Sequence, residues 1–334
     1  MINPEMKLRP DVFEVKENVS TRDGFGKGAV EAGKVDERIV VLSADLAEST
    51  RAEWFAKEFP TRFIEMGVAE QNMATVAAGM ANYGKIPFIT SYAAFSPGRN
   101  WEQIRTTIAL NNVPVIVCGM HAGISVGPDG ATHQMLEDIA LMRAMPNMVV
   151  LSPCDAEEAR KATIAAAKLG KPVYMRFGRE KTPVMTTPES PFEIGKANVL
   201  YRPVQGLPLD KAVAIFATGP FVFNALCAAQ KLEAEGVAAT VVNVHTIKPL
   251  DRETIVREAK SAGCVVSVEE HQVAGGLGSA IAELLAEEAP LPMEFIGMHN
   301  EFGQSGEPAQ LTEHYKMGVT DIISAAKRVV ARRA

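Results

Sequence analysis

Residues 63–92 read FIEMGVAEQNMATVAAGMANYGKIPFITSY. From Gln71 through Met80 the segment carries no charge and is rich in Ala, Gly and Met, which suits a helix packed tightly in a buried place. KIPFITSY (85–92) follows as a short, almost continuously apolar, β-rich run. A helix feeding a strand of that kind implies a parallel sheet covered on both faces.

The same alternation continues outward. RIVVLSAD (38–45), VPVIVCGM (113–120), NMVVLSP (147–153) and PVYMRF (172–177) read as buried strands, and DAEEARKATIAAAKLG (155–170) as a helix started by Asp155 and stopped by Gly170. At 181–210 Pro183, Pro188, Pro191, Pro203 and Pro208 interrupt any regular element. A second series then begins: KAVAIFATG (211–219), VAATVVNVHTI (237–247), GCVVSVEEH (263–271) and LPMEFIGM (291–298). The expectation is an α/β protein of two consecutive three-layer α/β domains with mostly parallel sheets, divided near 185–210.

Bulk properties agree with that division. A length of 334 residues suits about two domains, and 47% hydrophobic with 22% charged residues is ordinary for a globular chain. A net charge of −6 argues against a nucleic-acid partner. No apolar run reaches membrane-span length, and MINPEMKLRPDVFEVKE is too acidic and polar for a secretory signal. Cys118, Cys154, Cys227 and Cys264 are widely spaced without CxxC, and read as small buried hydrophobes in a reducing cytoplasm. The six histidines are scattered, so no metal site of the chain's own is visible.

Chemistry concentrates at the ends of the first-half strands, where open α/β sheets place their ligands. Glu70 opens the uncharged helix, and a carboxylate there is costly unless it is partnered or has a raised pKa. It reads either as a desolvated acid for a heterocycle nitrogen or as a carboxylate facing the helix dipole, with Glu65 a second surface acid. Strand 38–44 runs into Asp45-Leu46-Ala47-Glu48-Ser49. Strand 113–120 runs into a Gly-rich loop carrying His121, Asp129 and His133, donors and acceptors of the kind a sugar requires. Arg22 and Arg179 are candidates for gripping a phosphate, and Tyr92 and Phe95 for walling a flat ring. GGLGSA (275–280) lacks full dinucleotide-binding spacing and reads better as a helix N-terminus packed on a sheet.

These motifs resemble the C-terminal half of transketolase from about residue 15 onward: STRDGFGKG (20–28), SADLAEST (43–50), RFIEMGVAEQNM (62–73), SYAAF (91–95), HAGISVGPDGATHQ (121–134), MRFGRE (175–180), HTIKPLD (245–251), VEEHQVAGGLGSA (268–280) and FGQSGEP (302–308). The resemblance implies a pyrimidine-binding domain over 15–185, a Pro-rich linker over 186–210 and a transketolase C-terminal domain over 211–334. It implies that Glu70 hydrogen-bonds the pyrimidine of thiamine diphosphate and so activates the thiazolium. Tyr92 and Phe95 would flank the pyrimidine, and Asp45 and Leu46 would lie near the thiazolium. Arg22, Ser49 and Arg179 would face the substrate phosphate, with His121, Asp129 and His133 on the sugar hydroxyls. Glu70, His121 and His133 would be the catalytic residues.

Departures from the family refine the expectation. After SYAAF the chain reads SPGRNWEQIR (96–105), with Pro97-Gly98 and one extra residue beside the pyrimidine wall. The family's diphosphate- and magnesium-binding GDG motif is missing, since DG occurs only at 23–24 and 129–130. An N-terminal-type transketolase subunit would then supply Mg2+ or another divalent cation and share the cofactor, in an α2β2 heterotetramer acting on sugar phosphates in carbohydrate metabolism, by default the pentose phosphate pathway. A β subunit of a 2-oxo-acid dehydrogenase has similar length and domain order but no need of the His121–Asp129–His133 set. A 1-deoxyxylulose-5-phosphate synthase relative shares much of that loop. A non-catalytic scaffold has no use for a buried acid.

Overall fold

The computed structural model describes residues 1–333. Strands β1 (Asn18–Ser20), β2 (Ile39–Ser43), β3 (Phe63–Glu65), β4 (Ile86–Tyr92), β5 (Ile116–Met120), β6 (Val149–Leu151) and β7 (Val173–Arg176) cross the first half. Helices α1 (Thr21–Val35), α2 (Ala47–Thr50), α3 (Ala52–Glu58), α4 (Glu70–Asn82), α5 (Trp101–Gln103), α6 (Asp138–Arg143) and α7 (Ala156–Lys168) lie between them. Then come β8 (Lys181–Pro183), β9 (Asn198–Tyr201), β10 (Ala212–Ala217), α8 (Val222–Ala234), β11 (Ala238–Asn243) and β12 (Thr246–Lys248). The chain finishes with α9 (Arg252–Ala262), β13 (Val265–Gln272), α10 (Leu277–Glu288), β14 (Met293–Met298), α11 (Pro308–His314) and α12 (Val319–Ala331).

Two α/β domains with mostly parallel sheets result. The first sheet has seven strands in the order β12-β6-β7-β5-β4-β2-β3, and the second has five in the order β14-β13-β10-β11-β9. Within them only the edge strands β12 and β9 run antiparallel to their neighbours. Among the described residues no helix is long and apolar enough to cross a membrane.

Strand periodicity builds the layers. Val40, Leu42, Ile89 and Val117 face one side of the first sheet, where Met73, Ala74 and Ala77 of α4 cover them. Val41, Phe88, Ile116 and Cys118 face the other, under Phe25, Ala29, Ala159 and Ala162 of α1 and α7. The uncharged stretch after Glu70 supplies the buried face of α4 through Met73, Ala74, Ala77 and Ala78, while Gln71, Asn72, Thr75 and Gly79 are exposed. On the far side α1 and α7 approach backbone to backbone: a Cβ at Gly28 would stand 2.7 Å from the Arg160 carbonyl oxygen and 2.8 Å from the Thr163 Cβ.

Three local readings differ from the structure. The run 237–247 is not one strand: β11 ends at Asn243, and the chain crosses so that β12 pairs with β6 in the other sheet. An apolar run buried on all sides carries no mark of which sheet it joins. The segment 181–210 is not free of regular structure, since β8 pairs with β1 and β9 with β11. Both are edge strands, the one place where a nearby proline is tolerated. Phe63–Glu65, assigned to no element from the sequence, is the edge strand β3 beside β2. Elsewhere the strand centres agree, with ends moved by up to three residues.

A buried polar joint fastens the domains. Asp155 caps α7 by accepting the Glu158 amide at 2.8 Å, and its other oxygen accepts the Met185 and Thr186 amides at 2.7 and 2.6 Å. Glu158 accepts the Cys154 amide at 2.7 Å and Asn243 Nδ2 at 2.8 Å, from β11. Burial, with Asp155 nearby, pushes the Glu158 carboxyl from 4.5 up to about 7. The folded pKa exceeds the unfolded one, so the stability due to neutral Glu158 is present below about pH 4.5 and is lost as pH rises through about 7. Between pH 5 and 8 that loss is on the order of 2 kcal/mol. Glu158→Gln keeps an acceptor for Cys154 and is expected to flatten the slope. Denaturation midpoints that fall equally in both proteins over this range would assign the slope to other groups.

Candidate active site

β5, β4 and β2 lie side by side and parallel, so their carboxyl ends open on one rim. His121 follows β5, Tyr92 ends β4 and Asp45 lies just past β2. His121 and Asp45 adopt left-handed backbone, with φ of 52° and 58°. Non-glycine residues reach that region at a cost in strain, which concentrates at functional rims.

Glu70 is the first residue of α4 and is 1% exposed. Arg99 Nη1 donates to its Oε2 at 2.6 Å and Ser91 Oγ to its Oε1 at 3.2 Å. Asn100 Nδ2 donates to its carbonyl oxygen at 3.0 Å. Glu65 is exposed but engaged: its Oε1 accepts the amides of Asp45 at 2.7 Å and Gly67 at 2.9 Å. It thereby ties the end of β2 to the turn that delivers Glu70.

An aromatic ledge runs from Glu70 across the rim. Arg99 lies over the Phe95 ring at 4.7 Å, and Phe95 and Tyr92 have centroids 6.1 Å apart. Tyr92 stacks on His121 at 4.2 Å, while His133 meets Phe95 edge-on at 5.4 Å. Beyond His121, Arg22 Nη1 lies 2.8 Å from His121 Nε2 and donates to the Ser49 carbonyl at 2.8 Å. Ser49 thus joins through its backbone oxygen.

Electrostatics set the state of His121. Burial lowers its pKa from 6.5 to about 3, with Arg22 and Arg179 acting in the same direction. The ring is therefore neutral near pH 7. Arg22 can only donate, so His121 Nε2 accepts and Nδ1 carries the hydrogen. His121 Nδ1 and Arg22 Nε are buried and find no partner among the described residues. Unpaired buried donors of this kind are what a bound polar group satisfies.

Glu70, Tyr92, Phe95, His121, His133, Arg22 and Ser49 therefore form one connected set. Asp45 and Leu46 share the rim without touching the ledge: Asp45 is exposed, and the Leu46 amide donates to Ser43 Oγ at 3.3 Å. Arg179 Nη1 donates to the Val126 carbonyl at 2.9 Å and acts on His121 through its charge. Asp129 is exposed and makes no hydrogen bond or ion pair with the other site residues. Arg99 was missed by the sequence reading, although it lies within the unusual SPGRNW turn that follows β4.

Comparison with known proteins gives the site its context. "Transketolase, pyrimidine binding domain" matches residues 17–185 and "Transketolase, C-terminal domain" matches 206–322. A putative transketolase C-terminal section from Methanocaldococcus jannaschii is 44% identical over 312 residues, 92% of this chain and 95% of its own length. A 6-deoxy-6-sulfo-D-fructose transketolase subunit from Clostridium sp. is 38% identical over 322 residues, 96% of this chain and 98% of its own. A solved structure described as a split gene transketolase, inactive beta4 tetramer, superposes with a TM-score of 0.87 at 44% identity, over 95% of this chain and 100% of that one.

Proposed function

The chain belongs to the transketolase family, and on that premise we propose that it is the C-terminal subunit of a two-chain, thiamine-diphosphate-dependent transketolase that moves a two-carbon ketol unit between sugar phosphates. The observation that carries this reading is the buried Glu70 carboxylate at one end of an aromatic ledge whose other end is His121 and Arg22. Relatives of matching length, named as a C-terminal section and as a subunit, support a chain that works with a partner.

The residues fit the pyrimidine end of the cofactor. A desolvated carboxylate suits a ring nitrogen, and Tyr92 and Phe95 offer flat apolar surface to the ring. When bound, thiamine diphosphate supplies the nucleophilic carbon that carries the ketol unit. With the cofactor bound, Glu70 would hold a proton at the ring nitrogen, and Asp45 and Leu46 would lie toward the thiazolium. Among the described residues no group of three or more His, Cys, Asp or Glu is arranged to hold a metal ion. The diphosphate and its divalent cation are assigned to an N-terminal-type subunit, in an α2β2 complex. The first domain is taken as 15–185 and the second as 211–334, joined by 186–210.

Substrate groups follow the chemistry of the rim. His121 offers Nδ1–H to a sugar oxygen, His133 a second imidazole, and Asp129 a hydroxyl acceptor. Arg22 and Arg179, with Ser49 beside them, meet the phosphate. Arg22→Ala and Arg179→Ala are expected to raise KM for phosphorylated sugars about 10- to 100-fold while changing KM for free sugars far less. Equal changes for both would make the arginines structural.

Ketol transfer from xylulose 5-phosphate to ribose 5-phosphate, with thiamine diphosphate and magnesium, tests the function. The chain is assayed alone and mixed with the N-terminal-type subunit. Transfer by the mixture alone is expected. A mixture that assembles and binds cofactor yet transfers no ketol unit from any of a panel of ketose donors would overturn the assignment.

A further inference from the structure

His121, Asp129 and His133 lie on one connection between β5 and α6, and the inner side of that connection rests on the second domain. Glu270 in β13 is 3% exposed, and its Oε1 accepts the Ser125 amide at 2.6 Å. Gly123 has a φ of 92°, and a Cβ there would stand only 2.5 and 2.6 Å from the two Glu270 carboxylate oxygens. The carboxylate therefore fills the space a side chain would take. The Glu270 backbone is itself anchored. Arg176 Nη2 donates to its carbonyl at 2.7 Å, while Arg176 Nε donates at 2.8 Å to Asp138, which also accepts the Tyr174 hydroxyl at 2.7 Å.

Gln134 makes a second tie at the far end of the loop. Its Nε2 lies within hydrogen-bond distance of the carbonyls of Ile124 at 3.2 Å, Gly127 at 3.3 Å and Gln304 at 3.0 Å, the last from the second domain. A carboxylate is a costly group for mere domain packing, since an apolar side chain would fill the volume without desolvating a charge. Its polar contacts into the loop go to Ser125, which lies between His121 and His133.

We propose that Glu270 is a positioning residue for the sugar site: through its bond to Ser125 the second domain sets the spacing of His121 and His133. This rests on the assignment of those histidines to substrate. Glu270→Leu keeps the volume and removes the acceptor, whereas Glu270→Gln keeps an acceptor for Ser125. In the complex with the N-terminal-type subunit, Glu270→Leu is expected to raise KM for the sugar about tenfold. Its kcat stays within about threefold, its cofactor affinity is unchanged, and Glu270→Gln stays close to the parent. Equal damage by Gln and Leu, or a loss confined to cofactor affinity, overturns the proposal.

Amide hydrogen exchange on the chain alone separates this from the functional assignment. Glu270→Leu is expected to speed exchange across residues 121–134 and leave β10 and β11 as in the parent. Unchanged exchange in the loop, or a rise spread over both sheets, overturns the positioning role even if the reaction proves to be a different one.

Discussion

Glu70→Gln is expected to lower turnover of the reconstituted enzyme by about three orders of magnitude, within the range a positioned acid–base group contributes. The substitution removes the ionisable proton and keeps shape. Gln can still accept from Ser91, which lies 3.2 Å from Oε1. Arg99 loses its ion pair but is 45% exposed, so water takes over its solvation and little stability is lost. Assembly and thermal midpoint are therefore expected to stay near those of the parent, measured by light scattering and calorimetry. Turnover within a few-fold of the parent would remove Glu70 from the chemistry. A collapse of assembly would make it a structural group.

Gly24→Ala is expected to destabilise the isolated chain by about 3 kcal/mol or more, because the first contact it makes is with backbone. A Cβ at Gly24 falls inside the van der Waals radius of the Ala156 carbonyl oxygen and 2.8 Å from the Ala159 Cβ. Neither can turn aside, so α1 has to lift off α7. Gly79 in α4 is the control, since nothing lies within 4 Å of a Cβ built there. Gly79→Ala is expected to raise stability by about 0.5–1 kcal/mol through helix propensity. Denaturant titration of the two variants reads both signs at once. Equal stabilities for the two would mean that α1 and α7 are not in backbone contact. Because α1 carries Arg22 in its first turn, the Gly24 variant is also expected to lose the contact between Arg22 and His121.

Much of the site was legible because parallel strands send their carboxyl ends to one rim. Tyr92, His121 and Asp45 could be placed there from strand ends alone. Glu70 stood out because an acid opening an uncharged helix needs a partner, yet the partner, Arg99, comes from a turn whose path no periodicity describes. Asp129 was grouped with the histidines on one Gly-rich loop, and its side chain is exposed on a Gly- and Pro-rich turn rather than bonded to them. Glu65 was read as a second surface acid, and it is exposed, but its Oε1 accepts two backbone amides that no sequence pattern marks. Pairing partners were the least visible feature. Nothing in VAATVVNVHTI (237–247) distinguishes one sheet from another, and β12 went to the sheet that the local pattern did not indicate.

That crossing strand has a consequence for how the molecule is made. A ribosome delivers β2 through β7 well before Thr246–Lys248, so the edge of β6 stays bare until β10, α8 and β11 of the second domain have emerged. Lys248 then donates to the carbonyls of Arg143 at 2.9 Å and Met145 at 2.6 Å, and the Ser152 amide donates to the His245 carbonyl at 2.8 Å. An uncovered edge of that kind is a template for pairing with other nascent chains. The strand acts as a late clasp that closes this edge.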